Sequence, residues 1–238
     1  MLIIPAIDLK DGKCVQLVGG KFGTEQISID DINSVAKNFY SKGIRRLHVI
    51  DLSATKQYGQ NDNEVIIKNL LKNKKPGIEI EVGGGIRSLD KAKRLIDLGA
   101  DYIIVGTAAV QDSNFLRELS FKIGRKKIIV SLDYRNKKVL THGWDESTGL
   151  SPIEIGRKIQ KYCGTFLVTC VDKEGQLKGP DLEYTKEIIN ELDIPIIASG
   201  GITTLEDLKN LKEVGAFGAV IGMAIYKGNI KLDEALKI

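Results

Sequence analysis

Two carboxylates stand where apolar runs give out: Asp8 in AIDL and Asp133 in SLDY. An apolar run of that length reads as a strand, and its end can present a side chain to a cavity. Two such ends half a chain apart would bring the carboxylates face to face, and a facing pair can divide the acid and base halves of a proton transfer. Either carboxyl, partly stripped of water, would have its pKa pushed up toward neutrality. The competing role for each is to cap the turn that follows. Their matching places in the two halves favour the pair. Asp51 ends a third run, RLHVID, and Thr169 lies near the end of a fourth, TFLVTC. Trp144, the one tryptophan, sits in the polar stretch WDEST, where an indole can cover an edge or stack on a ring. His48, three residues before Asp51, is expected on the other strand face, packed against helices.

The second set of candidate groups is backbone. Gly84-Gly85 and Gly200-Gly201 each stand near the start of a stretch of 29 residues, and the two stretches align without a gap at a constant offset of 116. Each copy reads apolar strand, glycine turn, amphipathic helix, Gly-Ala turn and second apolar strand, which is a βαβ unit. Glycine lets the backbone approach a ligand closely, and bare N–H groups at a helix start hold anions. The second strand of each copy also ends in glycine, at Gly106-Thr107 and Gly222-Met223. Four loop backbones therefore make two phosphate cradles facing one cavity. A lone Gly-Gly after a strand can be a mere turn; its recurrence at one offset favours the cradle. GxGxxG with a later acidic residue is absent, as are GKS and GKT, so dinucleotide and P-loop readings are weak.

The elements that would position these groups alternate along the chain. Strands are predicted at 2–8, 46–51, 127–133 and 165–170, with two more in each repeat copy. Helices are predicted at 30–43, with Asp30 as its cap, at 62–73, after Gly106, at 152–164, at 181–192, and at the C-terminus. Residues 10–29 read as a long glycine-bearing loop, another loop runs to Asn61, and 138–151 reads as an excursion containing a short hairpin. Eight strands in alternation with helices predict a single α/β domain over 1–238, a (β/α)8 TIM barrel built from two (βα)4 half-barrels. An open doubly wound sheet would give no reason for the half-chain repeat. In such barrels the loops at the C-terminal ends of the strands carry the chemistry.

Composition narrows the function. With 42% hydrophobic and 28% charged residues the chain can bury a sizeable core, and no linker divides it. A net charge of +4 suits an anionic small substrate, but the Lys and Arg are dispersed among Asp and Glu and aromatics are only 6%, so nucleic acid is not an expected partner. No apolar run is long enough for a membrane span, and MLIIPAIDLK carries no leader pattern, which predicts a cytoplasmic protein. Cys14, Cys163 and Cys170 are widely spaced, which fits a reducing compartment. Two histidines without paired spacing predict no metal site. No exposed apolar strip demands a partner, and a monomer is expected.

IIPAIDLKDGKCVQLV, HVIDL, VGGGIRSL, IVGTAAV, SLDYR with GWDESTG, DKEGQLKGPD and PIIASGGITTLEDL with AVIGMAIY together resemble the ProFAR isomerase family of histidine biosynthesis, over essentially the whole chain. PAIDL, VGTAA and WDESTG set it apart from the related cyclase subunit of imidazole glycerol phosphate synthase. The resemblance implies a cofactor-free Amadori rearrangement of a bisphosphorylated aminoaldose. By the family's pattern Asp8 is the base, Asp133 the acid or its partner, and Thr169 holds the substrate. Trp144 stacks on the heterocycle. The two phosphates fall to Gly84, Gly85, Gly106 and Thr107 at one side and Gly200, Gly201, Gly222 and Met223 at the other, with Gly19 and Gly20 also against the substrate. The chain departs from the pattern at Val18-Gly19-Gly20-Lys21, where relatives often have Gln-Gly-Asp, and at Gln16 and Met223, where arginines are common. Glu174 stands where an Asp serves as proton donor in some family mechanisms, which makes it an alternative acid. Three other readings remain: phosphoribosylanthranilate isomerisation, alone or in addition, which needs only one cradle; the cyclase, which needs a glutaminase partner; and a non-catalytic phospholigand-binding barrel.

Overall fold

The Ile- and Val-rich runs form eight strands: β1 (Leu2–Lys10), β2 (Arg46–Asp51), β3 (Glu79–Gly83), β4 (Tyr102–Val105), β5 (Ile128–Ser131), β6 (Thr165–Thr169), β7 (Ile196–Ser199) and β8 (Gly218–Ile221). They are seen in a computed structural model that describes residues 1–55 and 63–238. Each pairs in parallel with the next, and β8 returns to β1 with Leu2 opposite Gly218, so the eight strands close into a barrel. This is the (β/α)8 TIM barrel that the alternation predicts. Among the described residues no helix is long and apolar enough to cross a membrane.

Alternation along the strands sorts side chains into two cores. Ile4, Ala6, Ile104, Ile129, Leu167, Ile197 and Val220 point into the barrel, while the residues between them, such as Ile3, Ile7, Leu47, Val49 and Phe166, pack under the helices. Helix starts are fixed by side-chain caps. Ser88 accepts from the Lys91 N–H, and Thr204 forms a capping box with Asp207 at the equivalent point of the second copy. The half-repeat extends to the backbone: Gly106 has φ −108° and ψ −99°, and Gly222 has φ −107° and ψ −99°.

Several segments differ from the sequence-based expectation. Residues 10–29 are not all loop. β1 runs two residues past Asp8, turns at Asp11-Gly12 with φ of 49° and 82°, and returns as Lys13–Gln16, which pairs with Ile27–Ile29. Asp-Gly is the strongest short hairpin signal and explains the turn. Asp31, not Asp30, caps the first long helix (Ile32–Ser41), by accepting from the Ser34 N–H. The helix expected at 62–73 is Glu64–Lys72; Asp62, and 56–61 of the loop before it, lie outside the described residues. Short helices at Leu52–Thr55, Thr107–Gln111 and Met223–Tyr226 escape a periodicity test because one turn is too short to show a period. The excursion holds the expected hairpin, Lys138–Thr141 with Glu146–Ser147, joined by Tyr134–Arg135.

Candidate active site

Asp8 follows Ile4 and Ala6 in the inward set and emerges at the floor of a cavity at the C-terminal mouth of the barrel. The returning strand places Gln16 beside it, and Gln16 Nε2 donates to Asp8 Oδ2 at 3.1 Å and to the Val15 carbonyl at 3.0 Å. Burial raises the Asp8 pKa to about 6; the His48 charge and the Gln16 hydrogen bond hold it from going further. Across the mouth, Asp133 sits two residues beyond β5. Its Oδ1 accepts from Ser131 Oγ at 2.6 Å and its Oδ2 from Trp144 Nε1 at 2.8 Å. Trp144 is therefore half-buried in the mouth rather than a free surface ring, and it presses so closely on Gly20 that a Cβ there would lie 2.3 Å from the indole.

A third carboxylate joins them. Glu174, on the loop after β6, lines the same cavity, and its pKa is raised to about 7 by burial and then by the charges of Asp8 and Asp133. Its carbonyl accepts from the Gly19 N–H at 2.9 Å, which ties the loop after β1 to the loop after β6. Gly20 lies on the cavity wall, while Gly19 is absent from it and serves this tie. Thr169, 6% exposed, ends β6 on the wall. Three carboxylates in one hollow repel one another, so the last to ionise is held protonated to higher pH.

Gly84, Gly85, Gly106 and Thr107 form one side of the cavity, and Gly200, Gly201, Gly222 and Met223 the related side. Gly84 and Gly200 have φ of 106° and 94°, and their missing side chains let the turns sit on neighbouring backbone. A Cβ on Gly84 would be 2.3 Å from the Asp51 carbonyl oxygen, and one on Gly200 would be 2.5 Å from that of Cys170. Gly84→Ala is expected to destabilise the fold by at least about 2 kcal/mol, through a rigid backbone clash at a φ that alanine avoids. Urea unfolding checks this; an unchanged midpoint would mean that the turn shifts freely.

Four placements were not foreseen. His48 points into the barrel, not toward the helices, because Ala6 and His48 pair in register and share the inward face. Asp51, on the opposite face, instead accepts from the Ala54 N–H and the Asn63 side chain and so links the short helix Leu52–Thr55 to Asn63. Gln16 and Ser131, which hold the two aspartates, were also missed. Ser131 carried a signal in its i, i+2 spacing from Asp133, whereas Gln16 was hidden in what read as loop.

A closed barrel of two matching halves gathers three carboxylates between paired glycine turns at the C-terminal mouth, the architecture of a (β/α)8 barrel with its cavity where such barrels carry their chemistry. Residues 2–231 match the family described as histidine biosynthesis protein, and the chain belongs to that family. It is 48% identical over 239 residues to 1-(5-phosphoribosyl)-5-((5-phosphoribosylamino)methylideneamino)imidazole-4-carboxamide isomerase of Methanosphaera stadtmanae, covering 100% of this chain and 99% of that one. It is 47% identical over 238 residues to the protein of the same name from Methanocaldococcus jannaschii, with the same coverage. To that of Methanosarcina mazei it is 43% identical, covering 98% and 96% of the two chains.

Proposed function

We propose that this chain isomerises ProFAR, the aminoaldose in its relatives' name, to the corresponding aminoketose. The observation that carries the reading is the meeting of Asp8 and Glu174, with pKa values of about 6 and about 7, in one cavity between two glycine cradles. Near neutrality Asp8 is mostly a carboxylate and Glu174 retains a proton, which is the division of labour an Amadori rearrangement needs. Glu174 gives its proton to the ribose ring oxygen as the C1′–O bond breaks and the nitrogen lone pair forms an imine. Asp8 then takes the C2′ proton, the electrons move to C1′=C2′, and the enol collapses to a ketone with a proton added at C1′. C2′ is oxidised and C1′ reduced, so no external electron carrier is consumed. Asp133, whose two oxygens both accept hydrogen bonds, holds Trp144 against the heterocycle, and Thr169 orients the sugar.

Each phosphate lies in one cradle. Gly106→Asp tests this, because a Cβ there meets only Ser131 Cβ at 3.8 Å, so the new side chain fits but puts a negative charge in the cradle. KM for ProFAR should rise at least about tenfold with kcat changed far less; an unchanged KM would make the turn a packing element only. The function itself is tested by following the absorbance of ProFAR mixed with purified protein, with phosphoribosylanthranilate run in parallel. Turnover of ProFAR supports the isomerase, turnover of both adds the second activity, and turnover of neither defeats the reading.

A further inference from the structure

Beneath the cavity the barrel holds a buried ionic column that the mechanism above does not use. Glu81 is 0% exposed, and His48 and Arg46 are each 5% exposed. His48 Nδ1 lies 2.6 Å from Glu81 Oε1, Arg46 Nη1 donates to Glu81 Oε2 at 3.4 Å, and Arg46 continues to Glu79 at 2.7 Å. Both Glu81 oxygens thus face donors. His48, held through Nδ1 by Glu81, also lines the cavity.

The two halves of the barrel differ at this layer. His48 pairs with Ala6 on one side and Glu81 on the other. In the second half Leu167 pairs with Ser131 and Ile197. Since Asp133 corresponds to Asp8, Ser131 corresponds to Ala6, and the equivalents of His48 and Glu81 are Leu167 and Ile197. Both belong to the apolar interior of the barrel. An apolar pair therefore fills this layer perfectly well. Burying a charged pair in its place carries a desolvation penalty and is weak evidence for stability. The ionic version stands only one layer below Asp8.

We infer that Glu81 and His48 form a positioning pair that keeps a proton beneath Asp8 and so holds Asp8 as the carboxylate that takes the substrate's proton. The charged groups around His48 are Arg46 on its own strand β2, Glu81 from β3, Asp8 from β1, Asp133 from beyond β5, and Glu174 from the loop after β6. Carboxylates outnumber the single guanidinium. Burial opposes the imidazolium, but the Glu81 hydrogen bond and the charges of Glu81, Asp8 and Asp133 outweigh it and raise the His48 pKa. A charged His48 in turn opposes the burial that lifts Asp8. Without it Asp8 would hold its proton to higher pH and lose its function as a base near neutrality.

The inference rests on the isomerase reading for its consequence but not for its first test. The chain has two histidines, so protein labelled with ¹³C at histidine Cε1 gives two resonances, assigned with His142→Gln. The His48 signal is expected to titrate with a midpoint above the ordinary histidine value of 6.5; a midpoint at or below it overturns the pair's role. The second test is the double variant H48L/E81I, which copies the packing of the other half. It is expected to fold, to melt no lower than the parent, and to shift the acid limb of kcat/KM for ProFAR upward by roughly half a pH unit or more. A folded double variant with an unmoved limb overturns the inference. If the double variant does not fold, the ¹³C signal of the parent decides alone. If the parent does not turn over ProFAR, the isomerase reading fails, and the histidine signal still decides whether the proton is held.

Discussion

Asp8→Asn is expected to lower kcat for ProFAR by at least about a hundredfold, the scale for losing a general base. The substitution keeps the shape of the side chain and leaves an oxygen to accept from Gln16 Nε2, so the site is not expected to reorganise. Its amide oxygen is far too weak a base to take a proton from C2′. The glycine turns proposed to hold the phosphates are carried by other strands, so KM should change little and the loss should fall on kcat. Steady-state kinetics on a variant that melts no lower than the parent is the check, since the raised Asp8 pKa predicts some gain in stability for a neutral side chain. A variant with more than about a tenth of the parent's kcat would remove Asp8 from the proton transfer.

Glu174→Gln has two effects of opposite sign. Turnover should fall by roughly a hundredfold or more, because glutamine cannot protonate the departing ring oxygen. Stability should rise. The Glu174 pKa goes up from 4.5 to about 7 on folding, so the folded protein binds this proton more tightly than the unfolded chain does. The resulting stabilisation is fully present below about pH 4.5 and is lost as the pH rises through about 7. At pH 8 the ionised Glu174 therefore burdens the fold by roughly 3 kcal/mol, which the neutral glutamine relieves. Melting curves of parent and variant should diverge between pH 5 and pH 8, with the variant higher at the alkaline end. Parallel curves would mean that Glu174 is ordinarily solvated and would weaken its assignment as the acid.

Legibility of the site in the sequence followed the range of the interaction involved. Asp8 and Asp133 stand out because each ends an apolar run, a local feature. The four glycine turns and the barrel itself were readable from the half-chain repeat, since two copies of one βαβ unit leave few ways to close a sheet. What escaped depends on distant neighbours. The side to which His48 points was misjudged because alternation gives parity but not its origin, and the origin is set by pairing with Ala6. Gln16 became visible only once β1 overran Asp8 and folded back. The bond from Trp144 to Asp133 spans a hairpin, and the pKa of Glu174 is raised by its burial in the assembled mouth and then by the charges of Asp8 and Asp133, which distant strands bring to the same hollow. The contrast between His48/Glu81 and Leu167/Ile197 was in the repeat all along, but it acquires meaning only through the register of the strands.

The most direct test is the pH dependence of kcat/KM for ProFAR in the parent and in Glu174→Gln. The parent is expected to give a bell with an acid limb near 6, from Asp8, and an alkaline limb near 7, from Glu174. In Glu174→Gln the alkaline limb should disappear while the acid limb stays in place. An alkaline limb that persists unmoved in that variant would contradict the account, because the proton donor would then be some group other than Glu174.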